Sequence, residues 1–79
     1  MIKKISILGS TGSIGTQTID VIKHTKGYKI VGLSCNKDIK TLYKQIIDLK
    51  VKEVAVYDEN AAISLIKKIN KNKLSVKVY

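Results

Sequence analysis

The sequence predicts an α/β fold: a parallel sheet built in the order β-α-β-α-β-α-β, with helices covering its faces to give three layers. Three observations carry this expectation. Short continuous apolar runs alternate with stretches of helical period, the switches coincide with Gly, Asn and Asp punctuation, and the 79-residue chain contains no Pro. Right-handed crossovers between successive strands then make the sheet parallel.

Ile5-Ser6-Ile7-Leu8 reads as the first buried strand, closed by Gly9. The next stretch is a surface helix. On a wheel of about 100° per residue, Ile14, Gly15, Thr18, Ile19, Val21 and Ile22 share one side, and Thr16, Gln17, Asp20, Lys23 and His24 share the other. Ile30-Val31-Gly32-Leu33 forms the second strand. Asp38 can cap a second helix that sets Ile39, Leu42, Tyr43, Ile46, Ile47 and Leu49 against Thr41, Lys44, Gln45 and Asp48. Val54-Ala55-Val56 is the third strand. Asp58 can cap the third helix, whose stripe is Ala62, Leu65, Ile66 and Ile69 and whose wet face is Ser64, Lys67, Lys68 and Lys71. Ser75-Val76-Lys77-Val78-Tyr79 alternates as a short edge strand.

Composition narrows the function classes. Fifteen basic residues against six acidic ones give a net charge of +9, which attracts nucleic acid, acidic membranes or phosphorylated small molecules. All fifteen are Lys, scattered along the chain, and the aromatic residues are four Tyr. Base readout calls on Arg forks and single-strand binding on aromatic platforms. Lysines coating solvated helix faces are therefore the first reading, and a basic module that binds nucleotides or nucleic acid is a minor alternative. The opening apolar run is cut by Ser6 and Gly9, unlike a signal peptide, and no run approaches a membrane span. A lone Cys35 suits a reducing compartment, so the cytoplasm is expected. A chain this short buries only about 60% of its unfolded surface. A layered fold of this size is expected to be marginal without a partner or further chain.

The chemical signal is the first strand-to-helix turn, Gly9-Ser10-Thr11-Gly12-Ser13-Ile14-Gly15, a G-x-x-G-x-x-G run directly after a buried strand. Alone the glycine pattern is weak; between strand and amphipathic helix it forms the phosphate-binding first unit of a Rossmann-like dinucleotide fold. Gly9 lets the chain turn sharply, Gly12 lets backbone approach a diphosphate, and Gly15 lets the helix pack closely. Amide N–H groups of the first helical turn then receive the anion, with Thr11 and Ser13 adding hydroxyl donors. The bland reading, a connector with Ser13 as an ordinary N-cap, asks for fewer glycines than are present. About 20 residues further on, where an NAD-binding domain carries an acid for the ribose 2′-hydroxyl, the chain reads Ser34-Cys35-Asn36-Lys37-Asp38. An amide and an ammonium stand there instead, which favours a 2′-phosphate and hence NADP; Asp38 opposes this unless it turns to cap the next helix. His24 and Cys35 read as a surface residue and a buried thiol. No catalytic set and no metal-ligand spacing is found.

The turn and Leu33-Ser34-Cys35-Asn36-Lys37, with Lys4-Ile5-Ser6-Ile7-Leu8, the helix Thr18-Ile19-Asp20-Val21-Ile22 and the strand Lys29-Ile30-Val31-Gly32-Leu33, resemble the N-terminal NADPH-binding region of the 1-deoxy-D-xylulose 5-phosphate reductoisomerase family. The likeness extends over nearly the whole chain. It implies NADPH contacts for Thr11, Gly12, Ser13 and Ile14, and places Asn36, Lys37 and Asp38 around the 2′-phosphate; the family often has Asn or Ser where Asp38 stands. It also implies a parent enzyme that is a cytoplasmic homodimer in bacteria. With NADPH and Mg2+ or Mn2+, that enzyme converts the phosphosugar 1-deoxy-D-xylulose 5-phosphate to 2-C-methyl-D-erythritol 4-phosphate in non-mevalonate isoprenoid synthesis. The metal carboxylates, substrate-phosphate site and lid belong to a later catalytic domain. Residues 1–79 are thus expected to be a truncated cofactor domain, inactive alone, with an exposed sheet edge and apolar surface. Other NADP-dependent dehydrogenases or sugar epimerases with a G-x-x-G-x-x-G turn remain as rivals.

Overall fold

The computed structural model describes residues 1–79. The elements run β1 (Lys3–Ile7), α1 (Ser13–Lys23), β2 (Tyr28–Cys35), α2 (Ile39–Leu49), β3 (Glu53–Val56), α3 (Glu59–Lys71) and β4 (Lys77–Val78). Every strand pair is parallel, and the order across the sheet is β1-β2-β3-β4.

Because spatial order follows chain order, right-handed crossovers return every helix over the same face. One contiguous core confirms it: Ile19 of α1, Leu42 and Ile46 of α2, and Leu65 and Ile69 of α3 cluster with Ile7, Ile30, Leu33, Cys35, Val54 and Val56 of the strands. The shortest molecular axis is 17 Å, room for a sheet and a single layer of helices, each about 10 Å across. The parallel α/β class and the element order are those the sequence predicts, but in place of the expected three layers residues 1–79 form two, because each crossover steps in the same direction across the sheet. The register pairs Ser6 with Gly32 and Ser34 with Ala55 on the face that carries no helix.

The three helices start differently. Asp58 accepts from the Ala61 amide at 2.9 Å and Asp38 from the Thr41 amide at 3.0 Å, both as expected of N-caps. Gly12 is the N-cap of α1 and offers no side chain, so Ser13 is the first helical residue and not the cap. Lys50 ends α2 in the left-handed conformation with φ 56°, its amide donating to the Ile46 carbonyl.

The apolar side of α1 divides. Gly15 and Ile19 are buried and Ile22 half-buried over the sheet, while Ile14 and Val21 are exposed. β1 lies at one edge of the sheet, and Leu8 just beyond it is exposed. Two other stripe residues, Ile47 and Ile66, are also exposed, whereas Gln45, placed with the wet residues by the wheel, is half-buried. The helix-sheet contact is narrower than the apolar arc, and Gln45 has a hydrogen-bonding partner beneath it.

Candidate functional site

All strands are parallel, so their C-terminal ends share one edge of the sheet, and the N-termini of the three helices rise from it. The glycine turn occupies this edge after β1. Gly9 sits in the left-handed region at φ 65°, which only glycine occupies without strain. At Gly15 a Cβ would collide with the Gly9 carbonyl oxygen and stand 2.7 Å from Ser10 Cα, so the first turn of α1 packs directly on turn backbone. Gly12 differs from both. Its backbone is extended, φ −79° and ψ 173°, and a Cβ there would meet the Gly9 carbonyl oxygen at an ordinary 3.5 Å. Neither conformation nor internal space demands glycine at position 12.

The amides around it are largely without partners in the protein. Gly12 N–H donates to the Gly9 carbonyl and Thr16 N–H to the Gly12 carbonyl, at 3.1 and 2.9 Å, while the amides of Thr11, Ser13, Ile14 and Gly15 have no acceptor in the protein. No acidic residue lies in the first turn of α1. The positive end of the helix dipole is therefore uncompensated and open. A groove of about 600 Å³ runs past it, lined by Leu8, Gly9, Gly12, Ser13, Ile14 and Thr18 among others. That volume matches small-molecule sites.

The end of β2 is bonded to the glycine turn. Ser10 N–H donates to the Ser34 carbonyl at 2.8 Å and Gly9 N–H to Ser34 Oγ at 3.0 Å, so the turn is stitched to the strand that leads into Asn36, Lys37 and Asp38. These three residues are exposed, and Lys37 forms no ion pair within the chain. The Asp38 carboxylate is turned onto its own helix; the Thr41 amide, then the Thr41 hydroxyl, hold it below the usual carboxylate range. Its charge is directed at the α2 N-terminus, which removes the objection it raised to a neighbouring phosphate. Thr11 is half-buried, and Gly12, Ser13 and Ile14 are exposed.

Cys35 points into the core, and burial pushes its thiol up, with the Asp38 charge a smaller contribution. It is a packing residue, protonated at neutral pH. His24 caps the C-terminal end of α1, with Nδ1 2.8 Å from the Asp20 carbonyl oxygen, exposed and far along the helix from the turn. Lys23 pairs with Asp48 at 2.7 Å, tying α1 to α2 at the surface. No three His, Cys, Asp or Glu side chains cluster as metal ligands, so these residues do not fit a divalent metal. No helix is long and apolar enough to cross a membrane.

Three residues at the site were missed in the sequence: Ser10, Ser34 and Gln45. Ser10 is fully buried and its hydroxyl donates to Gln45 Oε1 at 2.8 Å, while Gln45 Nε2 donates to the Ser10 carbonyl at 2.7 Å. The available signal was Gln45's spacing of three from Leu42 and four from Leu49, which puts an amide within the buried stripe.

A parallel sheet with a glycine turn leading into an uncapped helix defines the Rossmann-like class of α/β units. Within that class the chain is placed by comparison. The family model described as 1-deoxy-D-xylulose 5-phosphate reductoisomerase matches residues 5–79. A reductoisomerase of that name from Agathobacter rectalis is 52% identical over 63 residues, which is 80% of this chain and 17% of the relative. One from Thermoanaerobacter sp. is 51% identical over 71 residues, 89% of this chain and 19% of the relative. The Zymomonas mobilis reductoisomerase solved with NADPH superposes with a TM-score of 0.86 at 25% identity, over 99% of this chain and 20% of that one. The chain belongs to the 1-deoxy-D-xylulose 5-phosphate reductoisomerase family, and it spans about a fifth of the length of the relatives it matches. Membership in this family separates it from the dehydrogenases and epimerases that share the glycine turn.

Proposed function

We propose that these residues are the NADPH-binding part of an enzyme that converts 1-deoxy-D-xylulose 5-phosphate to 2-C-methyl-D-erythritol 4-phosphate. The observation that carries the reading is the pairing of an uncapped α1 N-terminus, glycine at position 12 with no internal need for it, and an unpaired Lys37 at the neighbouring strand end. Gly12 and the amides of Thr11, Ser13 and Ile14 receive the diphosphate. Lys37 and Asn36 hold the 2′-phosphate, and Asp38 fixes the turn that presents them. The chain's task is to position the nicotinamide for hydride delivery, the redox chemistry being the cofactor's own. The Zymomonas mobilis relative bound to NADPH supports this assignment.

Substrate and the divalent metal, Mg2+ or Mn2+, are held outside these 79 residues in this reading, which makes them inactive by themselves. The parent acts as a cytoplasmic homodimer. Titration of the full-length chain with NADPH and NADH tests the cofactor assignment. NADPH binds more tightly, and Lys37→Ala narrows the preference by roughly tenfold, the worth of one charge-assisted phosphate contact. Tighter binding of NADH, or a preference unchanged in Lys37→Ala, contradicts it.

A further inference from the structure

We infer that Gln45 is a positioning residue for the diphosphate turn, acting through Ser10 and Ser34; the inference rests on the NADPH reading above. Apart from the turn's own bond from Gly12 N–H to the Gly9 carbonyl, the hydrogen bonds that hold Gly9 and Ser10 all come from β2 or α2. Ser34 accepts from Gly9 N–H through Oγ at 3.0 Å, and its carbonyl accepts from Ser10 N–H at 2.8 Å and shares, at 3.2 Å, the single Ser10 hydroxyl proton with Gln45. Gln45 accepts from Ser10 Oγ at 2.8 Å and donates to the Ser10 carbonyl at 2.7 Å, so both ends of its amide serve one residue.

The last of these bonds aims the site. In a trans peptide the C=O and the following N–H point in opposite directions. Gln45 draws the Ser10 carbonyl toward α2, which turns the Thr11 N–H away from α2, to the side of the turn where no protein acceptor meets it. Gln45 is thus 35 residues from the turn in sequence, touches no cofactor, and sets the direction of an amide assigned to the diphosphate. Ser34, two residues before Asn36, makes the same clamp continuous with the segment assigned to the 2′-phosphate.

The test compares two ligands on the full-length chain: NADPH, and adenosine 2′-monophosphate, which carries the 2′-phosphate but no diphosphate. Gln45→Met keeps the length of the side chain and removes both hydrogen bonds. It weakens NADPH about tenfold, the worth of two hydrogen bonds, and leaves adenosine 2′-monophosphate unchanged. Gln45→Glu, which keeps the acceptor for Ser10 Oγ but loses the donor to the Ser10 carbonyl, weakens NADPH at least as much. Should Gln45→Met fail to fold, Ser10→Ala removes only the hydroxyl arm and weakens NADPH about threefold, again without effect on the smaller ligand. Unchanged NADPH affinity in the folded variants, or equal weakening of both ligands, overturns the inference in favour of a purely structural amide. If the unaltered chain binds adenosine 2′-monophosphate and not NADPH, the clamp is refuted; if it binds neither, the NADPH reading itself falls and takes the clamp with it.

Discussion

α1 and its two successors begin at the same edge of the same sheet, yet they treat their N-termini in opposite ways. α2 and α3 close theirs with their own carboxylates, Asp38 on the Thr41 amide and Asp58 on the Ala61 amide, and α3 adds Glu59 in its first turn. α1 has Gly12 at the cap, no side-chain acceptor and no acid in its first turn. An Asp at the cap would satisfy one amide and compensate the dipole, so leaving it out forgoes stability that the other two helices take. The contrast separates two helices whose N-termini are closed by their own side chains from one whose N-terminus is left open, as the proposed diphosphate site requires.

The largest expected effect concerns the glycine that lets α1 reach the turn. Gly15→Ala drives a Cβ into the Gly9 carbonyl and Ser10 backbone, which cannot swing aside as a side chain would. Urea denaturation shows a loss of about 3 kcal/mol; an unchanged midpoint would mean that the turn is not packed on α1 as described. Next is a closed helix. Asp58→Ala lowers stability by about 1 kcal/mol, as removal of an N-cap does, and leaves NADPH affinity alone. The smallest effect is the acid dependence of Asp38. Its carboxyl is held below the ordinary value of 3.8, so its capping contribution is fully present above that pH and disappears as the pH falls through the lower folded value. The difference in urea midpoint between the unaltered chain and Asp38→Ala is therefore present at pH 6 and closes in acid. A difference that persists in acid would show that the carboxylate charge is not what caps α2.

Much of this was legible in the residues. The alternation of apolar runs placed all seven elements, and Asp38 and Asp58 announced the caps because a short carboxylate before an apolar stripe has few other uses. Three glycines at spacing three fixed the turn; conformation accounts for Gly9 and contact for Gly15, while outside approach is the proposed reason for Gly12. The covered face was less legible. Periodicity reports which side of a helix is apolar, but strand order decides which face of the sheet it lands on, and only the order β1-β2-β3-β4 puts all three helices together. The Ser10–Ser34–Gln45 clamp was hidden for a related reason. A helical wheel sorts side chains by polarity, so Gln45 was grouped with solvent while its partners lay in segments distant along the chain. Ile14 erred the other way: apolar, and exposed at the groove.

Gly12→Asp makes α1 resemble its two neighbours. The backbone at this position, φ −79° and ψ 173°, already has the extended shape of a side-chain cap, so aspartate fits without strain. Stability measured by urea denaturation is unchanged or slightly raised, while NADPH affinity measured by calorimetry on the full-length chain falls more than about a hundredfold, because a fixed carboxylate faces the incoming diphosphate at short range. Undiminished NADPH binding in a folded Gly12→Asp chain would show that the α1 N-terminus is not where the cofactor's diphosphate sits.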